Sequence, residues 1–433
     1  MGLATAVCFA MKYRVIGLDI DGGRVSALSA GKTTIHEKGL ERLLRQGLSR
    51  GLLSFSSSLE ELEDADFVFI AVGTPGVGDG SIDLSQVKSA SMSIGDALRT
   101  NTQRPVIVLK STVIPGTMSD LVKPILETQS GKTVGIGFGL CSNPEFLREG
   151  SAIGDTLKPD RIIIGSFDKL SSRRMNALYR GFYGKAARII EVTPEEAELI
   201  KYASNSFLAT KVSFINFIAR MTEQIPGTDV KRVAEGMGLD PRIGRLFLEA
   251  GPGYGGSCFP KDVKALTRYS EKRGLDTPLL ESVTGVNDTQ PGHALSLAEA
   301  RIGPLKEKVV AVLGLAFKAG TDDIRDSRAI LLIKGLLEDG VEVRVYDPVA
   351  IDAARRELGE NVEYADSAGE CIAGADLAIT MTAWDEFKRL KPRDFARLMR
   401  TPVLLDARRI YDPKKYSHGL TFLAVGRGPG DPR

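Results

Sequence analysis

One short stretch of the chain combines residue types that nucleophilic catalysis requires. The sequence GPGYGGSCFPKDV, residues 251–263, places Cys258 after a run of glycines and before Pro260, Lys261 and Asp262. Because proline suits the first turn of a helix, the thiol is expected near a helix N-terminus. A helix N-terminus and a neighbouring lysine both favour the thiolate, the form of cysteine that attacks electrophiles. We therefore predict that Cys258 is a nucleophile and not a packing residue.

Two pairs of polar residues are spaced four apart, as on one face of a helix. Asp262 follows Cys258 by four residues, so a helical turn would bring its carboxylate to the side of the thiol. An acid at this place would also stabilise the helix N-terminus, which is the alternative. Lys201 and Asn205 repeat the spacing, and an ammonium and an amide together suit a developing oxyanion. The alternative for this second pair is a solvated helix face.

The other cysteines and the histidines show no comparable pattern. The four cysteines include no CxxC pair, so neither a disulfide framework nor a metal site is expected. Three cysteines lie in apolar runs and are predicted to be buried, namely Cys8, Cys141 and Cys371. No histidine neighbours a candidate nucleophile, so the catalytic base is predicted to be another residue; the histidines are His36, His293 and His418.

The overall charge argues against two classes of partner. Of the 433 residues, 26% are charged and 43% hydrophobic, and the net charge is +2, as in a soluble globular protein. This balance gives no basic footprint for nucleic acid or for an anionic membrane. No apolar run is long enough to span a bilayer, and free thiols favour the cytoplasm. The opening MGLATAVCFAMKYRV lacks the features of a signal peptide and is predicted to begin a helix.

Apolar runs that end in polar loops alternate with helical segments in the first third of the chain. The runs are YRVIGLDID (13–21), FVFIAVGTP (67–75) and PVIVLKST (105–112). This alternation predicts a doubly wound parallel sheet of the Rossmann type. Ligands of such sheets bind beyond the carboxyl ends of the strands. Those ends carry Asp19, the triplet Gly73, Thr74 and Pro75, and the pair Ser111 and Thr112.

A long helix and a second set of strands follow. From Thr193 to about Glu223 the apolar period is that of one helix, with Thr193 as N-cap and Pro194 at the first position. Such a helix would join two domains and would also suit a dimer interface. From Glu307 the runs KVVAVLGLAFK, VEVRVYDP, DLAITMT and PVLLDARR predict further strands. The predicted fold is therefore α/β, with two Rossmann-like doubly wound parallel-sheet domains joined by a long central helix.

The predicted domains follow from these elements. A first Rossmann-like domain is expected over residues 1–192, a central helical region with the loop that carries Cys258 over 193–303, and a second Rossmann-like domain over 304–425. The end of the chain, residues 426–433, is predicted to be a disordered tail.

One motif of a nucleotide-binding half is not found in the sequence. Such a half begins with a strand, a GxGxxG loop and a helix, and its next strand ends in an acid. The helix GLATAVCFA and the acid Asp19 are present, but the first strand and the glycine loop are not. Either they were never there, or the recorded start falls inside the motif with Gly2 as its last glycine. We favour the second explanation, because losing a central strand would leave the backbone of its neighbours unpaired.

Nine stretches, in chain order, resemble the UDP-glucose/GDP-mannose dehydrogenase family over nearly the whole length. They are VGTP (72–75), KSTVIPGT (110–117), NPEFLREG (143–150), PDRIIIG (159–165), EAELIKYASNSFLATKVSF (196–214), DPRIG (240–244), GYGGSCFPKD (253–262), GLAFKAGTDDIRDS (314–327) and DARR (406–409). Ser257 stands where the branches acting on UDP-N-acetylhexosamines usually carry histidine. The form of the cysteine motif therefore resembles the branch that oxidises UDP-glucose.

The resemblance implies an NAD-dependent, four-electron oxidation of the sugar's primary alcohol to a carboxylate, with UDP-glucose as substrate. It also implies that the first Rossmann-like domain binds NAD and the second the UDP-sugar. An aldehyde has no second hydride to give until a nucleophile adds to it, and the thiolate of Cys258 would form a thiohemiacetal and then a thioester. The implied catalytic residues are Cys258 as nucleophile, Asp262 for proton and water handling, Lys201 and Asn205 at the oxyanion, Glu145 as water-positioning base and Thr112 for water or the nicotinamide ribose.

The resemblance also implies contacts with both ligands and with a second copy of the chain. Cofactor contacts are expected from Asp19, Arg24, Val72, Gly73, Thr74, Pro75, Ser111, Thr112, Glu149 and Arg325. Substrate contacts are expected from Glu145, Phe146, Leu147, Lys201, Asn205, Arg242, Gly253, Tyr254, Gly255, Lys318 and Arg409. Among these, Lys318 and Arg409 would contact phosphates, and Arg242 would reach across a homodimer. Phe217 stands where the family often carries glutamate, which concerns packing or the dimer face and not the chemistry.

Two alternatives remain open from the sequence. The first keeps the chemistry and changes the substrate, to GDP-mannose or another nucleotide sugar. The second is an inactive homologue that binds nucleotide sugars, and its support is the missing glycine loop. An intact Cys258 and Lys201 argue against the second alternative.

Overall fold

The computed structural model describes residues 1–33, 35 and 37–430 of the chain. The chain forms two compact units, Met1–Ser204 and Asn205–Arg433. We call them unit 1 and unit 2, and each is described by itself.

Unit 1 alternates short strands with helices. Its strands are β1 (Val15–Leu18), β2 (Leu53–Ser56), β3 (Phe67–Ile70), β4 (Val106–Leu109), β5 (Gly139–Ser142), β6 (Ile162–Ser166) and β7 (Ile189–Val192). Its helices are α1 (Gly2–Phe9), α2 (Gly22–Ser29), α3 (Leu40–Ser49), α4 (Ser85–Thr100), α5 (Lys123–Ser130), α6 (Ala152–Leu157) and α7 (Lys169–Tyr183). The three strands predicted from apolar runs are thus β1, β3 and β4, and the predicted opening helix is α1.

The strands of unit 1 form two separate sheets. A two-stranded parallel sheet has the order β1-β2, and a five-stranded sheet has the order β3-β4-β5-β6-β7. Within residues 1–33, 35 and 37–204, no strand pairs with the second edge of β1 or with the outer edge of β3. A further departure from an all-parallel sheet is that β5 and β6 run antiparallel.

Helix α1 packs against residues of both sheets. The ring of Phe9 lies 5.9 Å from that of Phe69 in β3 and 6.0 Å from that of Tyr179 in α7. On another face of the helix, Cys8 is buried with Leu53 of β2 in a second apolar cluster. Apolar burial of this kind, at roughly 25 cal/mol per Å², stabilises the arrangement without backbone pairing between the sheets.

Helix α8 (Pro194–Thr222) is the predicted long helix, with 29 residues. It starts where the sequence places its cap. The hydroxyl of Thr193 accepts a hydrogen bond from the Glu196 N–H, and the Glu196 carboxylate accepts one from the Thr193 N–H. This reciprocal pair is a capping box, which satisfies two otherwise unbonded donors. The division between the two units falls inside α8, and no helix in the described ranges is long and apolar enough to cross a membrane.

Unit 2 contains the second set of strands. They are β8 (Val309–Leu313), β9 (Glu342–Tyr346), β10 (Glu363–Tyr364), β11 (Leu377–Thr380), β12 (Val403–Asp406) and β13 (Thr421–Ala424). Its remaining helices are α9 (Val230–Gly238), α10 (Phe259–Glu271), α11 (Pro278–Ile302), α12 (Arg328–Glu338), α13 (Ile351–Leu358), α14 (Ala368–Ile372), α15 (Pro392–Leu398) and α16 (Pro413–Tyr416). The sheet order is β10-β9-β8-β11-β12-β13, and all its pairs are parallel.

This order reverses between β8 and β11, which makes that edge the topological switch point of the sheet. Every residue of β11 and β12 is buried, as expected of central parallel strands that are covered on both faces. The predicted fold class, two Rossmann-like α/β parts with a long central helix, is confirmed.

The end of the chain differs from the predicted disordered tail. The N–H of Gly426 donates to the Glu223 carboxylate at 2.6 Å, and the Gly227 N–H donates to the carbonyl of Pro429 at 2.8 Å. Gly426 has a φ of 72°, and a Cβ there would lie 2.3 Å from a methyl of Val230. Glycine therefore lets this segment pack on the residues that follow α8. Residues 431–433 lie outside the described part.

The ion pair between Asp376 and Arg400 gives a prediction about the stability of unit 2. The carboxylate of Asp376 accepts from Arg400 Nε at 2.8 Å and from the Val309 N–H at 3.0 Å, so it ties the start of β11 to β8. Arg400 lowers the pKa of Asp376 to about 2. Since the folded pKa is lowered, the stabilisation is present above the ordinary pKa and is lost as the pH falls through about 2.

Asp376→Asn should lower the free energy of unfolding by about 1 kcal/mol at pH 7, because Arg400 is largely exposed and the interaction is partly screened. The difference from the unmodified chain should hold between pH 7 and 5 and shrink to roughly half by pH 3. Urea unfolding at the three pH values measures it. Asp385→Asn, at an exposed acid that pairs with Lys388, is the control and should change little. A pH-independent difference for Asp376→Asn would contradict the prediction.

Candidate active site

The loops that follow β3 and β4 in unit 1 are hydrogen-bonded to each other. The hydroxyl of Ser111 donates to the Val72 carbonyl at 2.7 Å, and the hydroxyl of Thr74 donates to the Thr112 carbonyl at 2.7 Å. These are residues that the sequence predicts on the cofactor side, and Thr74, Ser111 and Thr112 are buried. Gly73 lies in the same loop, and its N–H donates to the side chain of Gln86. The loop continues through Pro75.

A glutamate that the sequence reasoning missed holds the second of these loops against α8. Glu198 is buried, and its carboxylate accepts from the backbone N–H groups of Gly116 and Met118 at 2.7 and 2.9 Å. Burial raises the pKa of Glu198 to about 8. Glu198 lies one helical turn before Lys201, so the loop that carries Thr112 and the turn that carries Lys201 are fixed to each other.

Asp19 lies directly after β1, as predicted. Its carboxylate accepts from Arg24 Nη1 at 2.7 Å and from the N–H of Asp21, and 28% of its side chain remains exposed. A partly exposed carboxylate at the carboxyl end of a parallel strand fits the ribose hydroxyls of a dinucleotide. Arg24 is bonded to the carboxylate itself, so in this structure it orients Asp19. Together with the loops after β3 and β4, these residues fit NAD.

Lys201 and Glu145 form a buried ion pair in unit 1. The Lys201 ammonium lies 3.2 Å from Glu145 Oε1, and their side chains are 4% and 2% exposed. A third charged group missed by the sequence reasoning, Lys110, is also buried, and its ammonium donates to Asn143 Oδ1 at 3.1 Å. Burial lowers the pKa of Lys110 to about 8, and the nearby Glu145 opposes that shift. The cluster thus sets two lysines around one carboxylate, away from water.

The segment NPEFLREG, which carries Glu145, is a loop and not a helix. Glu145 and Glu149 are also spaced four apart, which on its own would suggest a shared helix face, but in this loop the spacing does not put them on one face. Instead the Glu145 carboxylate accepts from the N–H of Leu147. The ring of Phe146 has the Arg161 guanidinium at 4.0 Å and the Lys201 ammonium at 5.3 Å from its centroid, so two cations contact its π-system.

Cys258 occupies the N-cap position of α10 in unit 2, as predicted, and is exposed. Its sulfur lies 3.6 Å from the hydroxyl of Ser257. The N–H of Asp262 donates to the carbonyl of Cys258 at 2.8 Å, which is the helical turn that the spacing predicts. Asp262 is 1% exposed, and its carboxylate accepts from Asn205 Nδ2 and from the Lys261 ammonium, each at 2.6 Å. An exposed thiol therefore starts a helix whose first turn holds a buried, doubly bonded carboxylate.

The glycines before Cys258 serve the packing of the protein. A Cβ on Gly253, where φ is 108°, would lie 2.5 Å from Asn287 Oδ1, and one on Gly255 would lie 2.4 Å from the Asp326 carbonyl. The Gly256 N–H donates to the Arg325 carbonyl at 2.9 Å. Gly253 and Gly255, which are predicted to contact the substrate, here allow close approach of other backbone and side-chain atoms of the protein. We call residues 251–258 the cysteine loop.

The cations expected at the phosphates differ in their surroundings. Lys318 follows β8 at the switch point, and its ammonium lies 5.4 Å from the ring of Phe317. Arg409 is buried, with its guanidinium bonded to both carboxylate oxygens of Asp229 and to the Val425 carbonyl. Arg408, which the sequence reasoning passed over, donates instead to the carbonyl of Phe317 at 3.0 Å. Burial lowers the pKa of Arg408 to about 10.

Two further predicted arginines are exposed and are held by acids two residues earlier in the chain. Arg242 makes a two-pronged contact with Asp240, and Arg325 makes the same contact with Asp323. Their side chains are 87% and 66% exposed.

The histidines do not serve the cysteine loop in the described contacts. His293 pairs with Glu223 of the segment after α8. His418 lies after α16, and His36 lies outside the described residues.

A sequence signal existed for some of the missed residues. Lys110 ends an apolar run, PVIVLK, whose strand is buried at all four positions. A lysine that directly follows such a strand lies at the ligand-binding edge of the sheet. Glu198 and Arg408 each lie close in sequence to residues that are predicted to belong to the site. The sequence gives no rule that would identify them as site residues in preference to those neighbours.

Three models of one family match the chain. The NAD binding domain of the UDP-glucose/GDP-mannose dehydrogenase family matches residues 1–183, its central domain matches 195–289 and its UDP binding domain matches 311–413. Each range falls inside one of the three predicted domains, whose exact borders stay a prediction.

Individual proteins match over nearly the full length. The UDP-glucose 6-dehydrogenase AglM of Haloferax volcanii is 42% identical over 413 residues, which cover 95% of each chain. The structure of a UDP-glucose dehydrogenase from Pyrobaculum islandicum has a TM-score of 0.91 and 41% identity, and covers 98% of this chain and 95% of that one. A UDP-D-ManNAc dehydrogenase from Pyrococcus horikoshii has a TM-score of 0.85 and 29% identity, with 98% and 97% covered. By three domain matches and these full-length similarities, the chain belongs to the UDP-glucose/GDP-mannose dehydrogenase family.

Proposed function

We propose that this chain oxidises UDP-glucose to UDP-glucuronate with two NAD⁺ and one water. The observation that carries the proposal is the exposed thiol of Cys258 at the N-cap of α10, with the Asp262 carboxylate buried one turn behind it. An exposed cysteine at a helix N-terminus is chemically suited to attack an aldehyde. The full-length similarity to UDP-glucose 6-dehydrogenases supports the choice of substrate. A reducing cytoplasm would keep the thiol in this form, and we propose that compartment.

The first oxidation needs a base for the C6 hydroxyl, which would be Glu145 acting through a water, and a positive environment for the oxygen. Asp19 and the loops after β3 and β4 would hold NAD⁺, which when bound accepts one hydride in each of the two oxidations. The Lys201 ammonium and the Asn205 amide, one turn apart on α8, would donate to the oxygen as negative charge develops on it. Both side chains are buried, so water screens their donors little.

The second oxidation runs through the cysteine. Cys258 Sγ bonds to the aldehyde carbon and gives a thiohemiacetal, from which loss of a hydride leaves a thioester. A water held by Glu145 then adds to the thioester carbon, the C–S bond breaks and the thiolate of Cys258 is restored. Asp262 would take part in moving the proton of that water. The sum is one alcohol and one water converted to one carboxylate, with two hydrides and three protons released.

The UDP group would bind at the switch point of unit 2. Lys318 follows β8, and Arg408 follows β12 and is bonded to the residue before Lys318. Among the described residues, the hydrogen-bond partners of Arg408 are two uncharged carbonyl oxygens, so its positive charge would be available to an anionic ligand. The guanidinium of Arg409 is used by Asp229. We therefore assign the second phosphate contact to Arg408 in place of the predicted Arg409.

We also propose a homodimer formed through one face of α8. Phe207, Phe214 and Met221 repeat every seven residues and are 65%, 46% and 48% exposed. Residues seven apart lie on one side of a helix, so these three form an exposed apolar stripe, which is typical of a protein–protein interface. The Lys211 ammonium, on the same stretch of α8, donates to the Ile243 carbonyl. The loop that carries Arg242 thus lies beside the stripe, in a place from which it could reach a second copy.

Cys258→Ser should stop formation of the acid and lower NADH production with UDP-glucose by a factor on the order of 10³ or more, because a serine alkoxide is formed far less readily than a thiolate. UDP-glucose binding, measured by calorimetry, should persist. Ser257→Ala, which alters the hydroxyl 3.6 Å from the sulfur, is the matched control and should stay within about threefold of the unmodified enzyme. Substantial NADH production by Cys258→Ser, or none by the unmodified chain with UDP-glucose, would contradict the proposal.

Lys318→Ala and Arg408→Met should each weaken UDP-glucose binding by roughly tenfold and leave NAD⁺ binding nearly unchanged, because each removes a charge-assisted contact with phosphate. Arg409→Met should act differently. Breaking its buried pair with Asp229 should lower the free energy of unfolding by about 3–5 kcal/mol. Calorimetry with each ligand and urea unfolding separate the two effects. A selective loss of NAD⁺ affinity in Lys318→Ala would show that the two binding halves are assigned the wrong way round.

Phe214→Asp should weaken the dimer at least 100-fold, because a carboxylate would replace an apolar contact in the middle of the stripe. Light scattering after size exclusion at micromolar concentration measures the mass. The control is Leu170→Asp, at a residue of α7 that is 48% exposed and lies off the stripe. A mass that stays dimeric in Phe214→Asp, or that is monomeric in the unmodified chain, would refute this assignment.

A further inference from the structure

The cysteine loop is fastened through its backbone by a buried asparagine that none of the catalytic roles uses. Asn287 lies on α11 and is 2% exposed. Its Oδ1 accepts from the Tyr254 N–H at 2.7 Å, and its Nδ2 donates to the Tyr254 carbonyl at 3.0 Å. One side chain thus satisfies both polar groups of one residue, four positions before Cys258.

Two more carboxamides hold the loop at its start. Asn216 Oδ1, on α8, accepts from the Gly251 N–H at 2.8 Å, and Gln290 Nε2, on α11, donates to the Gly251 carbonyl at 3.0 Å. Arg220 donates to Gln290 Oε1 from Nε and Nη2, at 3.0 and 2.8 Å. Because the guanidinium can only donate, it fixes which end of the Gln290 amide faces the loop.

These contacts replace the pairing that a helix or strand would provide. Gly251 and Tyr254 are buried but lie outside any regular element, so their N–H and C=O groups need partners from side chains. A carboxamide offers a donor and an acceptor on one rigid plane, which neither a carboxylate nor an alkyl chain does. Asn287 is therefore chemically matched to clasp a single peptide residue.

The side chains around Asn287 leave the loop little freedom. The ring of Tyr254 is buried with Ala209, Val263 and Val283, which belong to α8, α10 and α11. Gly253 lies so close to Asn287 Oδ1 that any Cβ would overlap it. We call the two hydrogen bonds between Asn287 and the Tyr254 backbone the clasp. The clasp, the buried ring of Tyr254 and Gly253 together fix where the chain enters α10, and hence the position of the Cys258 thiol.

We propose that Asn287 is a positioning residue that sets the place and the reactivity of Cys258 through the backbone of Tyr254. The inference rests on the proposed function for its catalytic consequence, but the placement of the thiol can be tested without the sugar nucleotide. Loss of the clasp would free the loop, and a displacement of about 1 Å in a reacting group lowers turnover by up to 100-fold.

The experiment compares Asn287→Ala and Asn287→Asp with a matched control. Asn287→Asp keeps the acceptor for the Tyr254 N–H but loses the donor and sets a carboxylate against a carbonyl. The control is Ser213→Ala, because the buried Ser213 hydroxyl donates to the Val283 carbonyl at 2.7 Å. It joins the same two helices, α8 and α11, without touching the cysteine loop.

Three measurements are made on folded, full-length protein. Hydrogen exchange measures the backbone protection of residues 251–258. The rate at which iodoacetamide alkylates Cys258 at pH 7, followed by mass spectrometry, measures the reactivity of the thiol. Steady-state kinetics give kcat and KM. For Asn287→Ala we expect faster exchange across the loop, alkylation slowed about fivefold and kcat lowered about 10- to 100-fold. Asn287→Asp should lie between it and the unmodified chain. Ser213→Ala should match the unmodified chain in all three within about twofold, although its melting temperature falls.

Equal alkylation and exchange in Asn287→Ala and the unmodified chain would overturn the proposal, as would the same loss of kcat in Asn287→Ala and Ser213→Ala at equal folded fractions. If Asn287→Ala does not fold, Asn287→Asp is decisive on the same criteria. A chain that fails to oxidise UDP-glucose but still shows the expected alkylation and exchange differences would refute the proposed function and leave the clasp standing.

Discussion

The thiol of Cys258, at the start of α10, depends on a loop that belongs to no strand or helix. The backbone of residues 251–256 is largely buried, and buried peptide groups without partners are costly. In unit 2 those partners are the carboxamides of Asn216, Asn287 and Gln290 and the carbonyl of Arg325. The exposed Cys258 is therefore the end of a strongly fixed segment. This constraint explains why particular side chains are needed around the thiol to hydrogen-bond the buried backbone of its loop.

Helix α8 carries polar side chains in both units, because the division between the units falls inside it. Its N-terminal turns carry Glu198 and Lys201, which bond to loops of unit 1, and its later turns carry Asn205 and Asn216, which bond to residues of unit 2. Within each unit, the helix fixes the spacing of these side chains. The capping box at Thr193 sets where that spacing begins. A shift of one residue would turn all of these groups about 100° away from their partners.

Charges in both units are buried in pairs or with polar partners. Lys201 with Glu145 and Arg409 with Asp229 are the clearest pairs, with side chains 10% exposed or less. The desolvation of one charge is offset only when an opposite charge and hydrogen bonds are in place. The two pairs nevertheless differ in where they lie and in what they connect. The first lies among predicted catalytic residues, whereas the second ties α9 to the end of β12 and leaves Arg408 beside Lys318.

The sequence by itself determined the local secondary structure. Strands β1, β3, β4, β8, β9, β11 and β12 follow from apolar runs, α8 follows from its cap and period, and the turn from Cys258 to Asp262 follows from Pro260 and the four-residue spacing. These features depend on neighbours in the chain, which a sequence displays. Family resemblance added roles for residues, and those roles stay predictions.

Only the tertiary structure decided which polar groups meet. The spacing of Glu145 and Glu149 is that of a helix face, but the segment is a loop, and the Glu145 carboxylate accepts from Lys201 and from the Leu147 N–H. Adjacent Arg408 and Arg409 are indistinguishable in sequence, yet Asp229, 180 positions from Arg409, engages one of them. The clasp by Asn287 likewise joins residues 33 positions apart. Such pairings depend on how elements pack, because a buried donor or acceptor is satisfied by whatever the fold brings within about 3 Å.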